Sequence, residues 1–293
     1  MRSWVFPLNR LPPGFLASLD NPPVPPAEPR PSSTLVLLRE GESGLEVLLL
    51  KRSPRSGFIP SAWVFPGGTV DVEDGDSHLL PRLHGISPGG ATARLQAKRA
   101  RPPSMAYWVA ALRETFEETG VLLRRKDQSR QGKLAAEKEA HGHSDAETAA
   151  RIALLAGNKS FAEVLEMLDA ELDAGSLEYS GHWLTPECEP RRYETRFFSA
   201  EVSRAAQVTT HEREMVDSIW ITPAEALARN ARGAFPLVLP TVFTLEELAP
   251  FPTPREALAH MRDRPVPLRL PRPERVDGGI RFHLTEPTDL PGL

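Results

Sequence analysis

Three glutamates crowd one short stretch of this chain, Arg113-Glu114-Thr115-Phe116-Glu117-Glu118-Thr119-Gly120-Val121. Trp108, Ala111, Leu112 and Phe116 recur at helical spacing through it, which predicts a helix over residues 104–119. Ser104 is the expected N-terminal cap, and Gly120 stands where a left-handed C-terminal residue is wanted. On that helix Glu114, Glu117 and Glu118 fall at i, i+3 and i+4, so their carboxylates share one face. Like charges this close repel one another. Spacing alone leaves two readings open. One is a solvated face laced with Arg–Glu pairs, as most charged helix faces are. The other is a site for a hard cation such as magnesium, which takes oxygen ligands and bridges to substrate phosphates. Arg113, one turn before Glu117, would then hold a carboxylate in position.

The surroundings of the helix favour a compact α/β domain. Residues 34–39 and 45–52 read as two buried strands joined by a turn at Gly41, Ser43 and Gly44. A short strand at 62–65 runs into Pro66-Gly67-Gly68, a turn signal. Residues 75–103 are polar and broken by Pro and Gly, and read as an excursion from the core. Residues 121–123 begin another strand. Residues 127–175, rich in Ala, Glu and Leu, read as an added lobe of two or three helices. Strands are expected at 182–184, 196–202 and 217–221, helices at 223–229 and 254–262, and a closing hairpin around Asp277-Gly278-Gly279. Strands, a motif-bearing helix and more strands give an α/β or α+β sandwich with a mixed sheet. Nine of the 30 prolines fall in the first 31 residues, which predicts an extended arm or a loose tail there. The expected organisation is therefore an arm over 1–31 and a single domain over 32–293, with insertions at about 75–103 and 127–175.

The glutamate motif resembles the signature of the Nudix hydrolase family. That signature runs Gly, five residues, Glu, seven residues, then Arg-Glu-apolar-any-Glu-Glu-any-Gly-apolar. Its second half matches at Arg113, Glu114, Glu117, Glu118, Gly120 and Val121, and its first half resembles Gly68 followed by Asp74. Asp74 stands where the family has Glu, and Thr115 where it has an apolar residue. Between Asp74 and Arg113 lie 38 residues instead of seven. An interrupted box of this kind resembles one branch, the coenzyme A diphosphatases of the peroxisomal type and their bacterial relatives. Residues 48–68, Trp183-Leu184-Thr185-Pro186 and residues 191–198 also resemble that branch, so the likeness extends over roughly residues 35–227.

The resemblance implies a Nudix-type α/β/α sandwich with a mixed sheet, plus inserted helices. It implies Glu114, Glu117 and Glu118 as metal ligands, with Mg2+ as cofactor and Mn2+ as its substitute. Arg113 would orient the ligands, and Glu117 would act in catalysis as well. Gly67 and Gly68 would bring backbone close to the metal. Glu214 is the candidate base from a later loop, with Glu212 as the alternative. Arg52 and Arg55, beside Lys51, would meet the coenzyme A moiety, whose 3′-phosphate suits bidentate Arg contacts; solvated charges at a strand end are the competing reading. The implied reaction is hydrolysis of a nucleoside-diphosphate-X pyrophosphate. Coenzyme A or acyl-CoA is the implied substrate, giving 3′,5′-ADP and 4′-phosphopantetheine. ADP-ribose, dinucleotides and nucleoside triphosphates are the alternatives within the enzyme class, and a non-catalytic nucleotide-sensing module is the alternative outside it.

Other clusters carry weaker signals. Arg191, Arg192 and Arg196 flank Tyr193 and read as an edge-strand ion-pair set or an adenine-stacking site. His141 and His143 read as a solvent loop, and Arg94, Lys98, Arg99 and Arg101 as a solvated basic face. The net charge of -4 lacks the positive field that nucleic-acid binding relies on. No apolar run approaches the roughly 20 residues of a membrane-spanning helix. With Cys188 the single cysteine, a reducing compartment is expected. The C-terminus Leu290-Pro291-Gly292-Leu293 is not a Ser-Lys-Leu address, so a cytoplasmic protein is expected. Family members are often dimers, and an arm can cross to a partner, which makes a homodimer the expected assembly.

Overall fold

The computed structural model describes residues 2–56, 59–96, 102–125, 143–210, 214–262 and 264–285. The chain opens with β1 (Ser3–Pro7), α1 (Phe15–Asp20), β2 (Arg30–Gly41) and β3 (Gly44–Arg52). It continues through β4 (Trp63–Val64), β5 (Gly67–Thr69), β6 (Leu83–His84), α2 (Pro88–Leu95) and α3 (Ser104–Thr119). The inserted lobe holds α4 (Asp145–Leu155), α5 (Phe161–Met167) and β7 (Leu172–Asp173). Then come β8 (Glu178–Leu184), β9 (Tyr193–Glu201), β10 (Met215–Ile221), α6 (Pro223–Ala231), α7 (Leu239–Leu248) and α8 (Pro254–Arg262). A hairpin of β11 (Leu268–Val276) and β12 (Gly279–Thr285) closes the described chain.

Among the described residues one mixed sheet runs in the order β1-β12-β11-β8-β9-β2-β3-β10, with β4 on β3 and β5 on β2. β2 pairs parallel with β9, and β11 parallel with β8; the remaining neighbours are antiparallel. The continuous apolar runs of β2 and β3 follow from this arrangement, because both faces of the sheet are covered. Leu35, Leu37, Leu48 and Leu50 lie in the core that holds Trp108, Leu112 and Phe116 of α3. Val36, Leu38, Val47 and Leu49 alternate with them and join a second core with α6, α7 and α8. The result is an α/β/α sandwich, as the resemblance implies. Each large apolar side chain buried in these cores contributes about 1.5–3 kcal/mol.

Several local expectations are corrected. The first 31 residues are not simply extended. Ser3–Pro7 forms an edge strand on β12, and α1 occupies the proline-free interval between Pro13 and Pro22. Residues 75–96 are not an excursion, since Leu79, Leu83, Ala91 and Leu95 belong to the α3 core. Ser104 does not cap α3. Pro103 holds the capping position, and the Ser104 hydroxyl accepts a hydrogen bond from Thr92 of α2 at 3.1 Å. Residues 121–123 form no strand; a single bridge joins Arg124 to Leu172. The helix α7 went unpredicted because its Thr241-Val242-Phe243-Thr244 run has strand-like propensity, while Pro240 in the first turn and burial in the second core decide for helix. In the 127–175 insertion, residues 127–142 lie outside the described residues. Beyond them α4 and α5 each begin with a capping box, Ser144 with Glu147 and Ser160 with Glu163.

Candidate active site

Helix α3 supplies the centre of the site. Its apolar face is locked into the core, so the opposite face is fixed in orientation. Thr115, polar where an apolar residue is usual, is fully buried at no loss, because its hydroxyl donates to the Ala111 carbonyl at 2.7 Å. Gly120 ends the helix at φ +77°, and its N–H donates to the Phe116 carbonyl. From the insertion, Arg151 donates from Nε and Nη2 to the Glu117 carbonyl at 3.0 and 2.7 Å. A cation at a helix C-terminus complements the helix dipole. This clamp is invisible to a motif, since Arg151 sits 34 residues beyond Glu117 on another helix.

Asp74 and Arg113 close the 38-residue gap in the motif. The Arg113 guanidinium donates to both Asp74 carboxylate oxygens, from Nε at 2.8 Å and Nη2 at 2.9 Å. Nη2 also donates to the Thr69 carbonyl at 2.9 Å, while Nη1 reaches Glu114 at 3.0 Å and Glu117 at 3.3 Å. Burial opposes the charge of this guanidinium, but Asp74 and the surrounding glutamates raise its pKa above the ordinary value. Asp74 is itself fixed by a capping box, accepting from the Asp71 N–H at 2.8 Å. Arg113 therefore orients the glutamates and is itself held by Asp74.

Gly67 and Gly68 face the same glutamates. They lie in β5, held on β2 opposite Thr34 and Ser33. The Gly67 N–H donates to Glu118 Oε2 at 3.0 Å. A Cβ on Gly68 would overlap the Glu114 carboxylate, and one on Gly67 would overlap the Ser33 carbonyl. The tight turn thus admits the carboxylates only because both residues lack side chains.

The carboxylates are charged at a cost. Burial pushes Glu114 up to about 7, with Glu117 adding to the rise and Arg113 opposing it. Burial, aided by the charge of Glu114, raises Glu118 well above the usual carboxylate range, against the Gly67 N–H and Arg52. Burial also raises Glu117, again with Arg113 opposing. Oxygen donors under mutual repulsion fit a hard divalent cation, which reverses the sign of that repulsion. Among the described residues no three His, Cys, Asp or Glu side chains close around one point. The set is an open carboxylate face, suited to an ion that keeps waters and substrate oxygens.

A cation on this face would compete with protons. Glu114 favours its protonated form in the metal-free protein, so its contribution to stability is present below the unfolded carboxylate value and is lost as pH rises through about 7. Apparent affinity for a divalent cation is expected to climb with pH through about 7, by roughly tenfold per pH unit for each proton released, with the raised Glu118 extending the climb. Titration calorimetry in buffers of different ionisation enthalpy would read the released proton. Affinity that does not vary with pH would exclude Glu114 as a ligand.

These groups line one cavity of about 680 Å³. Arg52 reaches it from the end of β3, where its Nε and Nη2 donate to the Ser56 hydroxyl at 3.2 and 3.0 Å. Glu214 lines it from the start of β10, and its carbonyl accepts from the Ser53 N–H at 2.8 Å. Glu212 lies outside the described residues. Arg55 is exposed and does not line the cavity, because the chain turns away after Ser53. The Arg191-Arg192-Arg196 set is occupied elsewhere. Arg192 donates to the Thr185 and Ala27 carbonyls. Arg196 is buried against Tyr179, His182 and Glu194, and Arg191 is exposed. Tyr193 does line the cavity. His141 and the run Lys98, Arg99, Arg101 lie outside the described residues, whereas Arg94 pairs with the buried Glu178.

Comparisons with known proteins agree with this geometry. An acyl-coenzyme A diphosphatase NUDT19 of Gallus gallus is 30% identical over 239 residues, covering 72% of this chain and 63% of that protein. The Homo sapiens protein of the same name is 28% identical, covering 78% of this chain and 64% of its own length. The chain thus spans a little under two thirds of these relatives. A crystal structure of a NUDIX hydrolase from Alicyclobacillus acidocaldarius superposes with a TM-score of 0.63 at 26% identity, covering 82% of this chain and 99% of that one. The family model described as the NUDT19 Nudix domain matches residues 27–248. That span takes in the glycine turn, Asp74 and the whole of α3, and the chain belongs to this Nudix family.

Proposed function

We propose that the chain is a divalent-metal-dependent diphosphatase. It cuts the pyrophosphate of coenzyme A or an acyl-CoA, giving 3′,5′-ADP and 4′-phosphopantetheine or its acylated form. The observation that carries this reading is the single cavity in which the α3 carboxylates, fixed by Arg113 and the glycine turn, meet an apolar wall. The relatives named for acyl-coenzyme A diphosphatase activity support the substrate class.

Glu114, Glu117 and Glu118 are the residues that would hold Mg2+, or Mn2+ in its place. When bound, such a cation would neutralise phosphate oxygens and lower the pKa of an attacking water. Glu214, exposed on the cavity wall, is the proposed acceptor of the water's proton. Arg52 presents its guanidinium on the same wall and suits a phosphate or the departing anionic group. Arg113 has Nε, Nη1 and Nη2 all committed to the protein's own acceptors, so it positions carboxylates and does not grip substrate. No covalent intermediate is required.

The test is product detection with coenzyme A, acetyl-CoA, ADP-ribose, NADH and a nucleoside triphosphate, each with magnesium and with chelator. Chelator-sensitive release of 3′,5′-ADP from coenzyme A or acetyl-CoA is expected. Cleavage of another member alone would keep the metal chemistry and discard the substrate. Binding of a nucleotide without turnover under magnesium or manganese would point to a sensing module.

A further inference from the structure

The cavity has two chemically different sides, drawn from opposite faces of the sheet. Arg113, Glu114, Glu117 and Glu118 come from α3, on one face. Phe65, Trp183, Phe197 and Leu239 come from the core on the other. The apolar side is completed by segments outside residues 27–248. Phe6 of β1, Leu11, Pro12 and Phe15 at the start of α1 line it from the N-terminal segment, with the charged Arg10 of that segment beside them. Pro271 of β11 and Phe282 of β12 line it from the closing hairpin. These segments are built as one unit. β1 pairs along β12 from Ser3 to Pro7. The Phe282 ring meets Phe6 edge-on at 5.6 Å and Phe15 at 5.6 Å.

A pyrophosphate needs none of this apolar wall, and a nucleotide base is a flat, polar-edged group. A wall of this composition suits an unbranched hydrocarbon tail, whose burial is favourable in proportion to its apolar area. We propose that the N-terminal segment and the C-terminal hairpin form an acyl-chain subsite, with Leu11, Phe15 and Phe282 as its specificity-determining residues, so that acyl-CoAs with longer chains bind more tightly than free coenzyme A. This rests on the diphosphatase reading for the head group, while the tail subsite stands on the wall itself. Leu11 is partly exposed, in the loop that leads into α1, and packs on the edge of the second core, so a change there disturbs that core less than one at the buried Phe15 or Phe282.

The experiment is titration calorimetry of the full chain, with chelator present to prevent turnover. Coenzyme A, decanoyl-CoA and dodecyl phosphate are compared for the wild type, Leu11→Asp and Leu11→Trp, and hydrolysis is measured in parallel with magnesium. Decanoyl-CoA is expected to bind the wild type at least tenfold more tightly than coenzyme A. Leu11→Asp, which sets a charge in the wall, should remove most of that advantage. Leu11→Trp, which shortens the space, should weaken decanoyl-CoA more than coenzyme A. Equal binding of the two by the wild type, or equal weakening of both by each variant, would overturn the subsite. If neither CoA ligand binds but dodecyl phosphate does, and loses affinity in Leu11→Asp, the subsite stands and the coenzyme A reading falls. If dodecyl phosphate binding also ignores Leu11, the subsite falls with it.

Discussion

Replacing Glu118 by Gln is expected to lower kcat on the order of 10³-fold while raising the melting temperature of the metal-free protein. The two effects share one cause. Glu118 is buried at the glycine turn, and burial together with the Glu114 charge makes its ionised form costly. Gln keeps the shape, and its side-chain oxygen can still accept from the Gly67 N–H that meets Glu118 at 3.0 Å. What disappears is the charge that a cation uses. Loss of one preorganised charged group at a reacting centre costs about 10²–10³ in kcat, and a metal ligand belongs at the upper end. The relief of repulsion should appear as a rise of roughly 2–4 °C per kcal/mol. Steady-state kinetics and thermal melts with and without chelator read both quantities. Unchanged turnover would take Glu118 out of the site. A lower melting temperature with lower activity would instead mark Glu118 as part of the packing at the glycine turn.

The pattern of what could be read in advance follows from how far each signal reaches along the chain. The α3 helix is legible because its apolar spacing, its glutamate face and Gly120 lie within 17 consecutive residues. The buried strands β2 and β3 are legible for the same reason, as short apolar runs joined by a glycine turn. Helix α7 is not, since its local propensity points to strand, and Pro240 in its first turn and burial in the second core override it. The edge strand β1 is hidden for a different reason. Pro7 and the prolines beyond it suggest a loose arm, and nothing nearby indicates that the β12 backbone lies beside Ser3–Pro7. The site divides in the same way. Glu114, Glu117, Glu118, Gly67 and Gly68 gather at one cavity, with Arg52 and Glu214 on its wall. Arg55 looks equivalent to Arg52 in sequence, but the turn after Ser53 carries it into solvent. Arg151 and the terminal aromatics come from distant segments and carry no motif.

Asp74→Ala is expected to be the most destabilising single change in the site, because Asp74 carries the contact that reassembles an interrupted motif. It is nearly fully buried, and so is Arg113. Removing one partner of a buried, bidentate pair costs about 3–5 kcal/mol, here by taking the carboxylate acceptor from Nε and Nη2 while Glu114 and Glu117 still face Nη1. At the lower end of the size scaling, this lowers the melting temperature by roughly 6–10 °C. Activity should fall as well, since the Arg113 contacts to Glu114 and Glu117 depend on where Asp74 holds the guanidinium. Asp74→Glu separates the local requirement from the family pattern. The family has Glu at this position, yet here the residue also accepts from the Asp71 N–H within a short capping turn. One more methylene in a filled, hydrogen-bonded pocket costs about 1–3 kcal/mol. Asp74→Glu should therefore lower stability by less than Asp74→Ala and keep part of the activity. Chemical denaturation and kcat measured on both variants would decide it. Asp74→Glu matching the wild type in both would mean that the capping turn does not dictate the shorter acid. Asp74→Ala as stable as the wild type would mean that Arg113 is held by Thr69 and the glutamates alone.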